Sequence, residues 1–465
     1  MRRFLKQFFI YGFASVLSKI AAVFLLPLYT NVLSQEEYGA LAVITAVKGI
    51  IDLFSNLNIH SGVARDYYEK DVDRTKIIST GFFSIIFFSL LFMSIFLCTK
   101  GFWINNILNV ENYEKAFIFM LFTIPAGSLF SYFAILTRYK QKAVLYSVGS
   151  LMQLGIQIAL TVYFILVSKT GIVGVFYGIL AGELVGIVYF FFLNKEYIKF
   201  TFNKTLFNRV LKYSLPTLPA IAAIWADSNI GQLLIGKYIS LADAGVYSIA
   251  LRVSSVYLLI RQAFGNVWLP FVYENLNRPS FEKDVIRIFN AATFALLLIS
   301  VNVSMLSEYI VLFLSTPDYI YAAKLLILLT IPMSISILNQ FAAIGPNISR
   351  KTKYISYANI SGSTINLICL AIFLPIYGVV TVPLCLLLSR VVVFLLTVYY
   401  TKKEIGLKYP LINAVVIVMA ILSIFLFMQI EKNTTIHFII LVILNIAGLY
   451  YIYNNYNVKA LFVKK

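Results

Sequence analysis

Eight ionisable side chains stand inside long apolar runs of the sequence: Lys19, Lys48, Asp52, Glu183, Asp227, Arg252, Arg261 and Arg390. Near the centre of a membrane span each costs about 2.5–3.5 kcal/mol on insertion scales, so such residues are kept where water, a partner or a ligand offsets the cost. Five are basic and three acidic. Fixed positive charge in an apolar layer suits an anionic headgroup, and a diphosphate is the natural candidate. Tyr11, Ser15 and Lys19 recur every four residues, and Thr30 returns to the same face. That polar stripe at helical spacing would line a wet cavity; the alternative is a lysine paired with a distant carboxylate. Lys48 and Asp52 are i, i+4, either an internal ion pair or a lysine that exchanges Asp52 for a substrate phosphate.

Arg252 and Arg261 lie nine positions apart. At about 100° per residue they face opposite ways on a straight helix. Arg252 is the deeper and the better candidate, while Arg261 is placed to snorkel. The guanidinium fork binds phosphate bidentately, which an ammonium does not match. Asp227 follows Pro216 and Pro219, which kink a helix start; it either binds a transported cation or pairs with a base. Glu183 borders a glycine ridge, Gly174, Gly178, Gly182 and Gly186, whose simplest role is close helix packing. Glu183 is read as the partner of a basic residue before a coupling site. Arg390 has no assigned role. Cys98, Cys369 and Cys385 are far apart, and His60 and His437 are isolated, so no metal site is expected. There is no phosphate-binding glycine loop for ATP, and no cofactor is called for.

These residues need elements that cross a membrane. The chain has 465 residues, 60% of them apolar and 12% charged, with a mean hydropathy of +0.86. So few charges cannot cover a soluble fold. Fourteen runs reach the length of a span: 8–31, 39–59, 77–99, 114–137, 143–167, 172–193, 213–236, 244–267, 285–305, 323–345, 354–376, 379–400, 410–428 and 436–454. They are too long and continuous for β-barrel strands, so the fold class is an all-α polytopic membrane protein. The first run is too long for a signal peptide and no small-residue cleavage site follows it. With the N-terminus inside, 27 of the 38 Lys and Arg residues fall in or beside the inside segments and six in or beside the outside ones. That asymmetry places both termini in the cytoplasm and explains most of the net charge of +18 without nucleic acid. The longest loops are 60–76 and 194–212, which leaves no extramembrane catalytic domain.

Two halves of the chain match at a nearly constant offset of 206 or 207 residues. Ser34-Gln35-Glu36-Glu37-Tyr38-Gly39 matches Ser240-Leu241-Ala242-Asp243-Ala244-Gly245; Phe122-Thr123-Ile124-Pro125 matches Leu329-Thr330-Ile331-Pro332; Gly171-Ile172-Val173 matches Gly378-Val379-Val380. The repeat holds six spans, an even number, so the copies run parallel, a plan of secondary transporters with the substrate site between the halves. The last two spans fall outside it.

The opening helix with Leu33-Ser34-Gln35-Glu36-Glu37-Tyr38-Gly39, and the second-half pattern from Ser214-Leu215-Pro216 through Trp225-Ala226-Asp227 to Gly245-Val246-Tyr247-Ser248, resemble the Wzx-type polysaccharide-biosynthesis flippases. These are the O-antigen and capsule repeat-unit translocases of the multidrug/oligosaccharidyl-lipid/polysaccharide exporter superfamily. The resemblance implies two six-helix lobes, 1–200 and 201–405, with two added helices and a tail at 406–465. It implies a non-enzymatic flippase of a bacterial cytoplasmic membrane that moves undecaprenyl-diphosphate-linked oligosaccharide by alternating access. Membrane lipid, a polysaccharide polymerase and assembly proteins are the implied partners. Relatives that flip peptidoglycan precursor carry essential basic residues on the first, second and eighth helices. Lys19, Lys48 and Arg252 or Arg261 occupy those helices here, with lysine in place of arginine at the first two. The alternative is a cation-coupled drug or metabolite antiporter of the same superfamily, disfavoured by the basic excess. A membrane glycosyltransferase or polymerase is disfavoured by the short loops.

Overall fold

The computed structural model describes residues 23–69, 71–351 and 353–430, together with Leu17, His437 and 439–446. Every described element is a helix. In chain order the principal ones are α1 (Leu26–Val32), α2 (Gln35–Asn56), α3 (Ile59–Tyr67), α4 (Arg74–Cys98), α5 (Glu114–Tyr139), α6 (Ala143–Leu166), α7 (Val173–Asn194), α8 (Lys204–Ser214) and α9 (Leu218–Tyr238). Then come α10 (Leu241–Ser254), α11 (Val256–Asn275), α12 (Phe281–Met305), α13 (Tyr321–Ala342), α14 (Lys353–Tyr377), α15 (Thr381–Ile405) and α16 (Ile412–Ile430). Among the described residues, 12 helical segments are long and apolar enough to cross a membrane. They coincide with the twelve expected spans from 39–59 to 410–428. The expected spans 8–31 and 436–454 lie largely outside the described residues, and Lys19 lies outside them altogether.

The chain divides into two compact units, 1–245 and 246–465. In the first, α7 packs on α5 and α6, and α2 packs on α4, α5 and α9. Its core joins Ile59 and Val63 of α3 to Ile77, Ile78 and Ile85 of α4, with Tyr132 and Phe133 of α5 and Phe190 of α7. Tyr132 donates its hydroxyl to the Ile78 carbonyl at 2.7 Å, so a buried polar tip is satisfied across two helices. In the second unit α13 packs on α11, α12, α15 and α16. Phe289, Phe341, Phe394, Trp268 and Tyr409 fill its core. Tyr257, Ser300 and Ser334 form a hydroxyl chain through it, with both steps at 2.8 Å.

Two sequence-level expectations about helix ends are refined. The segment that holds Asp227 starts earlier than 213: the amphipathic α8 leads through a single 3₁₀ turn at Leu215–Thr217 into α9, with Pro216 and Pro219 in the first turns they tolerate. The span 244–267 is not one straight helix. It breaks at Ser255, whose hydroxyl donates to the Arg252 carbonyl at 2.6 Å, and α11 resumes at Val256. Arg252 and Arg261 stand on either side of this break, so the opposite faces expected of a straight helix do not follow.

The repeated motifs adopt the same local structure in both copies. Ser34 caps α2 by accepting from the Glu37 amide at 3.1 Å, and Ser240 accepts from the Asp243 amide at 3.0 Å. Thr123 and Thr330, each two residues before a helical proline, donate to carbonyls three residues back at 2.6 and 2.7 Å. Gly171 and Gly378 both turn with positive φ, +60° and +71°. Within residues 1–245 the starts of α2 and α10 meet reciprocally: a Cβ on Gly39 would strike the Leu241 carbonyl, and one on Gly245 the Gln35 carbonyl.

Candidate functional site

Two charged clusters are built inside the spans, one in each unit. In the first, the capping box of Ser34 and Glu37 fixes the start of α2. Lys48 and Asp52 then lie one turn apart, and Lys48 Nζ donates to Asp52 Oδ2 at 2.7 Å. Helix α7 is set close to α6 by its glycine ridge: a Cβ on Gly178 would meet the Gln157 carbonyl, and one on Gly182 the Gln153 carbonyl, each at 2.7 Å. Glu183, one position past the ridge, turns about 100° away from α6 and reaches Gly127 on α5. A methyl at residue 127 would sit 2.8 Å from Glu183 Oε1 and 3.5 Å from Lys48 Nζ, so both charged groups crowd the same point. Trp225 of α9 closes the other side against Gly49, with its Nε1 2.8 Å from where a Cβ would stand.

This cluster has one ammonium and two carboxylates. Glu183 is buried at 8% exposure. Asp52 Oδ1, Glu183 Oε2 and Trp225 Nε1 are buried, and each lacks a hydrogen-bond partner among the described residues. Such orphans are costly in a low-dielectric interior. They mark a place where a small polar or charged species would be stabilised. Asp227 is also buried, at 6%; two positions from Trp225 on α9, it points to a different face.

The second cluster lies on α11, α13 and α15. Arg261 is exposed and donates from Nη1 to Ser336 Oγ at 3.2 Å. Arg390 of α15 acts on it electrostatically. Arg261, Leu258, Gln262, Gly265 and Gln340 line a cavity of about 400 Å³. Arg252 is half-buried in the last turn of α10 and is not among the lining residues.

The structure therefore brings Lys48, Asp52 and Glu183 together. It gives Arg261 a cavity that Arg252 does not line, and it buries Asp227 on α9. Sequence reasoning missed Gly127, Trp225, Ser336 and Gln340. A lone glycine, an aromatic, a serine and an amide carry no spacing signal, and only helix packing brings the first two to the Lys48 cluster and the last two to Arg261. Among the described residues no group of three His, Cys, Asp or Glu side chains is placed to hold a metal.

The chain is an all-helical polytopic membrane protein with charged clusters in its spans, and solved structures share this fold. A lipid II flippase, MurJ, in an inward closed conformation is similar with a TM-score of 0.76 and 17% identity, covering 96% of this chain and 99% of that one. An inward-facing multidrug resistance MATE transporter of the MOP superfamily is similar at 0.63 and 15%, covering 85% and 94%. A MOP superfamily transporter from Pyrococcus furiosus, noted for the reverse polarity of its binding pocket, is similar at 0.56 and 13%, covering 85% and 93%. No curated protein sequence matches significantly. The profile of the polysaccharide biosynthesis protein family matches residues 30–324, and the chain belongs to that family.

Proposed function

We propose that the protein translocates undecaprenyl-diphosphate-linked oligosaccharide repeat units, of the O-antigen or capsule kind, across a bacterial cytoplasmic membrane. The observation that carries the reading is a conjunction: membership of a polysaccharide biosynthesis family over residues 30–324, and a fold shared along nearly the whole chain with a lipid II flippase. The two repeat-defined lobes, 1–200 and 201–405, alternate access, with 406–465 appended. Both termini are cytoplasmic. Lys19, Lys48, Arg252 and Arg261 supply the positive charge that receives the diphosphate. A polymerase and assembly proteins take the product at the outer face.

The cavity beside Arg261 supports the anion reading better than the Lys48 cluster, because Lys48 already faces two carboxylates. That same cluster favours a second reading, cation coupling through Asp52 and Glu183, with Asp227 as a further carboxylate. In this reading one carboxylate exchanges a proton or cation while Lys48 holds the other. An antiporter of drugs or metabolites would use the same device.

Complementation tests the first reading. Strains lacking their O-antigen, capsule or peptidoglycan-precursor flippase would receive this gene, and surface glycan would be measured beside membrane protein level. Restored glycan in one strain is the expected result. Normal protein level with no glycan in any strain contradicts it.

A further inference from the structure

Another cavity, of about 450 Å³, opens in the first unit where α2, α5 and α7 begin. Its volume falls in the range of small-ligand sites. Glu37 stands in the first turn of α2, Glu114 and Lys115 in that of α5, and Val173 starts α7; the 3₁₀ turn Glu111–Tyr113 and residues 170–172 complete the wall. Gly171 turns with a positive φ, and a Cβ on it would stand 3.4 Å from Glu37 Oε1, so the α2 and α7 sides face each other closely.

The lining offers both kinds of hydrogen-bond partner. Neither α5 nor α7 has a side-chain cap, so their first amides are donors that the helix itself does not use. Asn112 and Lys115 add further donors, while Glu37, Glu111 and the Asn112 amide oxygen accept. A sugar hydroxyl donates and accepts at once, and fits such a mixture. The carboxylates do not form a cation cage. Glu37 Oε2 accepts from the Ser34 amide at 2.9 Å, and Glu114 is paired with Lys100. Glu37, Glu111 and Glu114 against Lys100 and Lys115 still leave one net negative charge.

The second copy of the repeat shows that the fold does not require this lining. Its 3₁₀ turn Pro317–Tyr319 lies 206 residues on from Glu111–Tyr113. Tyr319 is 1% exposed, whereas its counterpart Tyr113 is half-buried and lines the cavity. Pro317, Ile320 and Tyr321 stand where the first copy has Glu111, Glu114 and Lys115. The polar cavity is therefore a property of one copy.

We propose that this cavity is an exit site that binds a neutral or amino sugar of the translocated glycan once the headgroup has reached the outer leaflet. The proposal rests on the flippase reading, whose topology sets this end outside, and deepens it by naming the sugar class. A uronic acid is disfavoured there, because its carboxylate meets like charge.

The test uses the full-length protein in phosphatidylcholine nanodiscs and the methyl glycosides of glucose, galactose, N-acetylglucosamine, glucosamine and glucuronic acid, titrated by saturation-transfer NMR. At least one of the first four should bind saturably, and the glucuronide about threefold more weakly or worse, the size an exposed charge contributes. Asn112→Ala, on an exposed turn, should weaken the bound sugar about fivefold, the net worth of one hydrogen bond. Asp318→Ala, at the matching position of the second copy, should leave it unchanged. Glu111→Lys should erase or reverse the preference against the glucuronide, a gain that a folding defect does not produce. Asn109→Cys, two residues before the lining, should react with an impermeant external reagent. No saturable binding, a glucuronide bound as well as the others, full affinity in Asn112→Ala, equal loss in Asp318→Ala, an unchanged preference in Glu111→Lys, or a shielded Asn109→Cys overturns the exit site. Any of these while the wild-type gene restores surface glycan overturns the exit site alone. Sugar binding with every expected variant effect, and glycan restored in no strain, overturns the flippase reading alone.

Discussion

Lys48 is the residue whose surroundings most constrain what it does. Its spacing from Asp52 was legible because i, i+4 places two side chains on one helix face. The approach of Glu183 was not. It depends on Gly127, where a side chain would stand between the two charges, and no spacing rule links positions 48, 127 and 183. A buried pair that loses one partner is destabilised by about 3–5 kcal/mol, since a charge is left uncompensated. Lys48→Gln should therefore lower the thermal midpoint in detergent sharply. Adding Glu183→Gln to it should recover part of the loss. Additive losses in the double variant would mean that the two groups do not interact. Asp227 is a separate question, being buried on another face. If it binds a transported cation, Asp227→Asn should abolish transport and its dependence on the ion gradient at normal protein abundance. A drop confined to abundance would make it a structural partner, and unchanged gradient dependence would end the coupling role.

At the scale of the helices, the apolar runs gave existence and order, and the ends were harder to read. Composition does not distinguish one span from two helices broken at Ser255, because a single serine turn leaves hydropathy unchanged. Nor did it separate the amphipathic α8 from α9 until the 3₁₀ turn at Pro216 was seen. The glycine ridge of α7 was legible, since small residues every four positions are a packing signal. It leads to a paired test. Gly182→Leu forces a side chain into the Gln153 carbonyl and should cost about 1–3 kcal/mol or more by overpacking. Gly155→Ala, on the facing helix α6, meets nothing within 4 Å. It should be neutral or stabilising by up to about 1 kcal/mol from helix propensity. Thermal unfolding of the two purified variants separates them. Equal midpoints would show that the ridge is not a tight interface.

For the whole molecule, the repeat was the most informative feature of the sequence. Motifs separated by 206 or 207 residues fold into matching caps, matching Thr-Ile-Pro turns and matching positive-φ glycines. Capping, proline and left-handed turns are local chemistry, which is why short motifs carried them. The clusters of charge were only half legible, because they are assembled by helices distant in the chain. The positive-inside asymmetry yields a topology that labelling can check: single cysteines near Arg138, Lys199 and Arg350, in a background lacking the native cysteines, should resist an impermeant external reagent. Cysteines at Asn109 and Asp318 should react. External labelling of the 194–212 loop would reverse or break the arrangement. The central claim, that the protein flips a lipid-linked glycan through a basic cavity, meets its most direct test in proteoliposomes. Purified protein would be reconstituted with a fluorescent polyprenyl-diphosphate oligosaccharide, and the fraction of probe open to a membrane-impermeant quencher followed with time. Wild-type protein should carry the shielded probe to the quenchable leaflet, Arg261→Lys should retain part of that rate, and Arg261→Gln should lose at least ninety per cent of it. Translocation at the full rate by Arg261→Gln, or none by wild-type protein that is folded and inserted, would contradict the account.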